Sequence, residues 1–165
     1  MPSIPTPTAG LSVCLGDDRL YIVGGYTKDE DIASKEVAYI ESGSDHWVSV
    51  CPMNIARKFS KVCALDRFLY VLGGDNGSKY NSLERYNPTT DTWELLSSDV
   101  GITISHEGRL TAFEGNLYYL VVISTSSFYC LKSIRKYDLL QNKLISCNRP
   151  YGLRCTLRIV DENYF

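Results

Sequence analysis

The chain repeats one short pattern at intervals of about fifty residues, and this repetition restricts its possible folds more than any other feature. The stretch Arg19-Leu-Tyr-Ile-Val-Gly-Gly25 returns 49 residues later as Phe68-Leu-Tyr-Val-Leu-Gly-Gly74. A third copy, Asn116-Leu-Tyr-Tyr-Leu-Val-Val122, follows after 48 more residues and keeps the apolar residues but not the glycines. A period of this length in a strand-forming sequence predicts a repeat architecture with one supersecondary unit per copy.

Each copy predicts four short strands, because apolar runs alternate with residues that favour turns. Four such strands form one antiparallel sheet, which is too small to be stable alone. The fold class is therefore predicted to be all-β. The predicted strands are 11–15, 20–23, 37–40 and 47–50 in the first repeat, 62–65, 68–72, 82–86 and 92–96 in the second, and 110–113, 117–123, 133–137 and 143–146 in the third, with a fourth repeat beginning near 156–160.

Composition excludes several classes of function. The 165 residues are 44% apolar and 22% charged, as in globular proteins, and the formal net charge of −2 offers no positive field for a nucleic acid. The longest apolar run, 117–123, is too short to span a membrane. The first ten residues lack the positive start and continuous apolar stretch of a secretory signal. We therefore expect a cytoplasmic chain that binds neither nucleic acid nor membrane.

The residues that usually carry chemistry are scattered. Six cysteines, at 14, 51, 63, 130, 147 and 155, form no CxxC pair and no zinc-type spacing with the two histidines. Reduced, buried thiols are favoured over disulfides. His46 and His106 are isolated, and no nucleophile elbow or phosphate-binding loop is present. We predict no catalytic residue, no metal and no cofactor.

A double glycine, a later tyrosine and a tryptophan seven or eight residues beyond it form a signature within the repeats. The third repeat keeps only its tyrosine, with Val121, Val122 and Leu144 at the other positions. This pattern resembles the kelch repeat, and the resemblance covers essentially the whole chain. The signature residues are Gly24, Gly25, Tyr39, Trp47, Gly73, Gly74, Tyr86, Trp93 and Tyr137.

The resemblance implies a kelch-type β-propeller in which each repeat is one four-stranded blade. We expect blades at about 9–54, 55–101 and 102–150, and the start of a fourth at 151–165. Kelch propellers usually close with about six blades, or ~290 residues at this period, so the propeller is predicted to be incomplete. We interpret the chain as a fragment; the alternative is that another chain completes the ring.

The resemblance also implies a function in protein binding. Kelch domains often follow BTB and BACK domains in adaptors that present substrates to cullin-RING ubiquitin ligases. Since this chain shows neither domain, it would supply substrate recognition, and any cullin contact would come through the absent BTB or BACK domain. The alternatives are an actin-binding cytoskeletal scaffold and a kelch-propeller enzyme. Two scattered histidines argue against a copper oxidase.

The candidate binding residues lie in the loops after each second strand, at 26–35, 75–81 and 124–131, and in the linker 52–59. The resemblance places an arginine thirteen residues before the second-strand tyrosine, facing acidic peptides, and Arg57 stands at that position. The corresponding residue in the third repeat is Ser105. The alternative for Arg57 is a solvated loop cation. The other candidates are Tyr26, Lys28, Asn76, Lys79, Tyr80, Phe128 and Tyr129.

Overall fold

The computed structural model describes residues 9–147 except 28, 30, 76–80, 106 and 125–128, and only the backbone of 122–124 and 129–132. Twelve strands form three four-stranded antiparallel sheets, in which strands adjacent in sequence are also hydrogen-bonded neighbours. We call the sheets blades 1, 2 and 3. The strands are β1 (Ser12–Gly16), β2 (Arg19–Val23), β3 (Val37–Glu41), β4 (Val48–Ser49), β5 (Lys61–Leu65), β6 (Phe68–Leu72), β7 (Leu83–Asn87), β8 (Thr92–Ser97), β9 (Arg109–Phe113), β10 (Asn116–Ser124), β11 (Tyr129–Asp138) and β12 (Lys143–Ser146).

The predicted all-β fold is confirmed, because each predicted strand of the first three repeats corresponds to an observed strand. The first two strands of each blade are joined by a two-residue turn whose residues have positive φ, such as Asp17 (48°) and Asp18 (58°). Such turns match the right-handed twist of the strands they join. The fourth repeat predicted at 151–165 lies outside the described residues.

Successive blades pack face to face, and their first strands come closest together. One apolar cluster lies between blades 1 and 2 and includes Tyr21, Val23, Leu69 and Val71. A second lies between blades 2 and 3 and includes Tyr70, Leu72, Leu117 and Tyr119. Since neighbouring residues of one strand serve different clusters, blade 2 is apolar on both faces, as in a β-propeller.

The double glycine ends the second strand where the next blade approaches. In blade 2, Gly73 has a φ of +69° and Gly74 of +107°, in the left-handed region that favours glycine. A Cβ at Gly73 would lie 2.7 Å from Cγ2 of Ile104, in the segment that leads into blade 3. The repeated glycine therefore serves both the turn and the close packing of successive blades.

One signature residue, Tyr39, does not lie where the repeat predicted it. Leu20 of β2 pairs with Ile40, whereas the equivalent Leu69 of β6 pairs with Tyr86, so that Ile40 and not Tyr39 corresponds to Tyr86. Because side chains alternate along a strand, this shift of one residue turns Tyr39 to the opposite face of its sheet. There it packs against the cluster between blades 1 and 2.

The two tryptophans occupy equivalent positions with different hydrogen bonds. Trp93 of β8 donates its indole N–H to the carbonyl oxygen of Cys51, in the linker before blade 2, at 2.8 Å. The indole nitrogen of Trp47, before β4, is buried and has no hydrogen-bond partner within the described part of the chain. The Trp93 indole thus connects the fourth strand of blade 2 to the linker that precedes this blade. The Trp47 indole makes no equivalent hydrogen bond within the described residues.

The cysteines whose side chains are described, Cys14, Cys51, Cys63 and Cys147, are free thiols, but only Cys63 among them is buried as expected. Burial between blades 2 and 3 raises the pKa of the Cys63 thiol to about 12, and Cys14 adds to the effect. A thiol with so high a pKa contains little thiolate at neutral pH and is correspondingly unreactive. Cys63 therefore acts as a small apolar core residue.

Candidate functional site

The antiparallel order of the strands divides the connections between two ends of the blades. Two-residue turns after the first strands and hairpin turns after the third strands lie at one end, which we call the turn rim. The loops after the second strands, such as 24–36 and 73–82, and the linkers between blades, 50–60 and 98–108, lie at the other end, the loop rim. The described parts of the predicted binding segments 26–35, 52–59 and 75–81 therefore share one rim.

Tyr26 lies on the loop rim, in the loop that follows β2. Its backbone exchanges hydrogen bonds with Ala9, and its ring is tilted against that of Phe59, with 5.7 Å between the ring centroids. Both rings touch Gly10, where a Cβ would lie 2.8 Å from Cε1 of Tyr26. We call Tyr26, Phe59 and the loop residue Ile32, whose side chains are respectively half-buried, 39% exposed and 62% exposed, the rim patch.

Lys58 joins the rim patch to two loops. Its ammonium lies 5.0 Å from the centroid of the Tyr26 ring and 2.6 Å from a carboxylate oxygen of Asp31. Its backbone N–H and carbonyl form reciprocal hydrogen bonds with Asp75, at 3.1 and 2.9 Å. Lys58 therefore connects the second-strand loops of blades 1 and 2, and the charge of its side chain is already balanced by Asp31.

Phe59 has an unusual backbone conformation for a bulky residue. Its φ of 59° lies in the left-handed region, which costs L residues other than glycine about 1–2 kcal/mol. Its N–H donates to the carbonyl oxygen of Gly10 at 2.7 Å, which helps to hold this conformation. Strained residues of this kind are found disproportionately at functional sites.

Arg57 does not lie where the sequence predicted it. Its side chain is fully buried and so has no surface with which to contact a partner. The guanidinium binds Glu84 of β7, with Nη2 at 2.8 Å and Nε at 3.2 Å from Oε1, and it also donates to the Ser82 hydroxyl at 2.7 Å and to the Gly73 carbonyl oxygen. Glu84 is equally buried and accepts the N–H of Asn54 at 2.9 Å. This placement fits neither the predicted contact with a partner nor the alternative of a solvated loop cation. The Arg57 side chain instead connects the linker to blade 2 inside the protein.

The backbone of Arg57 makes the corresponding contact to blade 1. Its carbonyl oxygen accepts the N–H of Gly25 at 2.9 Å, and its N–H donates to the carbonyl oxygen of Ser34 at 2.9 Å. One linker residue thus joins blade 1 through its main chain and blade 2 through its side chain. Arg57 therefore stabilises the loop rim by connecting blades 1 and 2 beneath it.

Ser105 is half-buried and is also engaged within the chain. Its N–H donates to the phenol oxygen of Tyr119 at 2.8 Å, and its hydroxyl lies 3.1 Å from the same oxygen. The Ser105 hydroxyl also accepts the N–H of Gly108 at 3.2 Å. Its role as a partner contact stays a prediction, although its hydrogen-bonding capacity is largely used internally.

The remaining predicted binding residues cannot be placed on the rim. Lys28, Asn76, Lys79, Tyr80 and Phe128 lie outside the described residues. Tyr129 begins β11, but its side chain belongs to the part that is not described. Of the nine predicted residues, the structure describes the side chains of three: Tyr26 and Ser105 are half-buried on the loop rim, and Arg57 is fully buried. The other six remain predictions.

Three residues of this surface, Ile32, Lys58 and Phe59, were not among the predicted binding residues. Lys58 and Phe59 lie in the linker segment that was expected to reach the rim, but nothing singled them out there. A signal was available for Phe59, because the equivalent residue 49 positions earlier is Gly10. A glycine in one repeat and a bulky residue in the next indicates a left-handed position that one copy occupies under strain.

Within the described residues, no group of three or more His, Cys, Asp or Glu side chains is arranged to hold a metal ion. None of the described segments is a helix long and apolar enough to cross a membrane. The rim patch is bordered by the Lys58–Asp31 ion pair and by the Lys61 ammonium, which lies 3.0 Å from the carbonyl oxygen of Phe59.

Comparison with known proteins agrees with the repeat and the fold. Residues 56–99, which contain blade 2, match the family model described as the Kelch motif. A putative F-box/kelch-repeat protein of Arabidopsis thaliana is 35% identical over 103 residues, which are 59% of this chain and 26% of that protein. Kelch domain-containing protein 7A of Mus musculus is 30% identical over 68% of this chain and 15% of its own length. Kelch-like protein 33 of Homo sapiens is 28% identical over 84% of this chain and 26% of its own length.

These relatives are much longer than the chain, which spans about a quarter of their length or less. Among solved structures, that of YjhT superimposes with a TM-score of 0.72 over 92% of this chain and 54% of that chain. At 16% identity this likeness shows the fold alone. With its repeat, its fold and its relatives in agreement, the chain contains a kelch repeat at residues 56–99, and its described part is an incomplete kelch-type β-propeller.

Proposed function

We propose that this chain is a non-enzymatic protein-binding module, the substrate-recognition part of an adaptor for a cullin-RING ubiquitin ligase, and that the partner binds at the loop rim. The observation that carries the proposal is the rim patch. Tyr26, Ile32 and Phe59 come from two different connections and expose apolar surface at the same end of the blades. Aromatic residues at such positions commonly dominate the energy of protein interfaces.

The adaptor role is supported by the names of the relatives. Several are named F-box/kelch-repeat proteins and one is named Kelch-like protein 33, so in these proteins the repeat belongs to a longer chain. On the proposed function, the ligase contact of the complete protein is made by a BTB or BACK domain outside the described blades. The blades contribute partner recognition only.

Site-specific photo-crosslinking tests the position of the binding surface. A photoreactive phenylalanine analogue is introduced at Ile32 on the loop rim, or at Leu140 on the turn rim as a matched control. Leu140 is even more exposed than Ile32, at 96% against 62%, so exposure alone favours crosslinking at the control position. Both variants are expressed in cells, irradiated and purified, and the crosslinked proteins are identified by mass spectrometry.

We expect proteins that crosslink through position 32 and not through position 140, and at least one of them should accumulate when cullin activation is inhibited. Equal crosslinking at both positions, or none at position 32, would overturn the assignment of the loop rim. A partner that crosslinks at position 32 but does not respond to cullin inhibition would leave a binding module without the adaptor role. Crosslinking to actin would favour the scaffold hypothesis.

A further inference from the structure

Blade 1 has one sheet face that no other described blade covers. It packs against blade 2 through the face that carries Cys14 and Tyr21. Because side chains alternate along a strand, Val13, Leu15 and Leu20 lie on the opposite face, which we call the blade 1 end face. These three side chains are 51%, 71% and 39% exposed. A group of exposed apolar residues on one sheet face indicates a contact surface.

Blade 3 has a corresponding open face at the other end of the three blades. It packs against blade 2 through the face that carries Leu117 and Tyr119. The opposite face, which we call the blade 3 end face, forms an apolar groove, and its Phe113 is 62% exposed. The groove is lined mainly by Thr111, Phe113, Tyr118, Leu120 and Ile134. The row of described blades therefore ends in apolar surface on both sides.

The strand register shows which residues of these two faces would meet if they packed as the described blades do. Between blades 1 and 2, Gly16 at the end of β1 lies against Ala64 of β5, since a Cβ on Gly16 would come 2.9 Å from that of Ala64. Phe113 ends β9 at the position of Gly16, and Leu15 occupies in blade 1 the position of Ala64 in blade 2. The same geometry would therefore place Phe113 of one end face beside Leu15 of the other.

The charged residues of the end faces are compatible with such packing. On β9 and β11 the described charged residues of the blade 3 end face are Arg109, Lys136 and Asp138, whereas the blade 1 end face is uncharged on β1, β2 and β3. Arg109 and Lys136 occupy the positions of Lys61 and Arg85, on the face of blade 2 that packs against blade 3. Cations at these positions thus already occur in a contact between blades.

The comparison with YjhT indicates how many blades such a contact would enclose. This chain covers 54% of that chain with 92% of its own residues. Three blades therefore form about half of a propeller of this size, and a second copy would supply the other half. In a two-fold arrangement about the ring axis, each blade 3 end face meets the blade 1 end face of the other copy, so that both kinds of end face are covered.

We propose that the two end faces bind each other between two copies of this chain, which together close one six-bladed ring. The inference is separate from the proposed binding at the loop rim, because it concerns the faces of the terminal blades. It also competes with one prediction from the sequence. A fourth blade beginning at 151–165 would occupy the same blade 3 end face, so the second copy and the fourth blade exclude each other.

The mass of the full 165-residue chain in solution, measured by sedimentation equilibrium, tests the contact. We expect about 37 kDa, twice the 18.6 kDa of one chain. Leu15→Glu and Phe113→Glu each place a carboxylate in both contacts of the ring, so each should weaken the dimer at least about a hundredfold. Leu140→Glu is the control, because Leu140 is 96% exposed in the hairpin turn of blade 3, away from both end faces. Circular dichroism should show the same β structure in all variants.

Cysteine crosslinking tests the arrangement of the two copies. Leu15→Cys and Phe113→Cys chains are prepared separately, mixed and oxidised with copper phenanthroline, which accepts the two electrons released as two thiols form one disulfide. The Cβ separation at the equivalent pair, Gly16 and Ala64, is close enough for a disulfide, which spans about 3.5–4.5 Å between Cβ atoms. We expect a covalent dimer containing one chain of each variant. Each variant oxidised alone is the control for the native cysteines and should give much less dimer.

The double variant, Leu15→Cys with Phe113→Cys, distinguishes a closed ring from an open chain. A closed ring gives covalent dimers and nothing larger, whereas head-to-tail contacts that do not close give a ladder of multimers. A ladder would overturn the six-bladed ring. An unaltered chain that sediments as a monomer would overturn the inference and favour the fourth blade as the cover of the blade 3 end face. A dimer that Leu15→Glu does not weaken would show that the blade 1 end face takes no part in the contact, and would overturn it as well.

Discussion

Blades 2 and 3 have different polar interactions at equivalent positions of the repeat. The pairing of β6 with β7 and of β10 with β11 makes Val71 equivalent to Tyr119 and Glu84 equivalent to Arg135. In blade 2 the linker inserts Arg57, which forms a buried ion pair with Glu84. In blade 3 the equivalent linker residue is Ser105, and the phenol of Tyr119 reaches it from the second strand.

The same contrast recurs at the third-strand tyrosine. Tyr86 of blade 2 donates its O–H to the carboxylate of Asp91 at 2.8 Å, whereas Tyr137 of blade 3 donates to the amide oxygen of Asn142 at 3.1 Å. At both positions blade 2 uses a charged partner where blade 3 uses a neutral one. At these two positions the repeat thus keeps a polar interaction but not the residues that form it.

The largest effect is expected from breaking the buried ion pair of blade 2. Glu84→Gln keeps the shape of the side chain but removes the charge that balances the Arg57 guanidinium, which is fully buried. An uncompensated buried charge is costly, so we expect the free energy of unfolding to fall by about 3 kcal/mol. Urea unfolding of the full chain measures this loss.

The matched control for that change lies on the neighbouring strands of the same blade. Glu94 pairs with Arg85 at 2.6 Å, but its side chain is 60% exposed. Because solvent screens exposed ion pairs, Glu94→Gln should change the free energy of unfolding by less than about 1 kcal/mol. Equal losses in the two variants would show that burial does not distinguish the pairs, and would contradict the role assigned to Arg57.

A smaller loss is expected when the neutral equivalent in blade 3 is broken. Tyr119→Phe removes the phenol oxygen that accepts the Ser105 N–H, without removing a charge. Leaving one backbone donor unpaired costs about 1–2 kcal/mol. Tyr118→Phe is the control, since Tyr118 lies on the other face of β10, and urea unfolding should show little change there. A loss in Tyr119→Phe as large as that in Glu84→Gln would contradict the difference proposed between the blades.

Much of this contrast could be read from the sequence, although the prediction for Arg57 was wrong. The strands, the turns and the glycines followed from periodicity and residue type. The family spacing placed Arg57 at an exposed rim, but Glu84 gave a contrary signal. It alternates with Tyr86, so it shares the buried face of β7, and a carboxylate on a buried face requires a partner.

Other features depended on details that periodicity does not contain. The shift of Tyr39 was indicated by its eight-residue distance to Trp47, against seven between Tyr86 and Trp93. A choice between a longer turn and a shifted tyrosine required the actual pairing of the strands. The left-handed conformation of Phe59 was still harder to predict, because phenylalanine rarely adopts it and only the comparison with Gly10 points to it.

The two tryptophans extend the comparison to blade 1. Trp93→Phe removes the indole N–H that binds the carbonyl oxygen of Cys51, whereas Trp47→Phe removes a buried N–H that has no partner among the described residues. Both variants lose similar apolar surface, so their difference isolates the hydrogen bond. We expect Trp93→Phe to cost about 1 kcal/mol more than Trp47→Phe in urea unfolding. A larger loss for Trp47→Phe would indicate a partner for its N–H beyond the described residues.

The smallest effect on stability is expected from ionisation of Tyr137, the third-strand tyrosine of blade 3, at high pH. Burial raises the pKa of Tyr137 from 10.0 to about 12, and Tyr70 and Glu94 add to the shift. Because the pKa is higher in the folded state than in the unfolded state, this residue's contribution is fully present below pH 10 and is lost as the pH rises towards 12.

The unaltered chain should therefore lose stability above pH 10, and Tyr137→Phe should lose about 1 kcal/mol less on going from about pH 8 to pH 11. Tyr86→Phe sharpens the comparison between the blades. Burial, followed by the hydrogen bond and charge of Asp91, raises the pKa of Tyr86 further than that of Tyr137. The phenol of blade 2 should consequently resist ionisation to a higher pH, which absorbance titration of each variant near 295 nm measures. If Tyr86 ionised before Tyr137, the carboxylate would not distinguish the two blades as proposed.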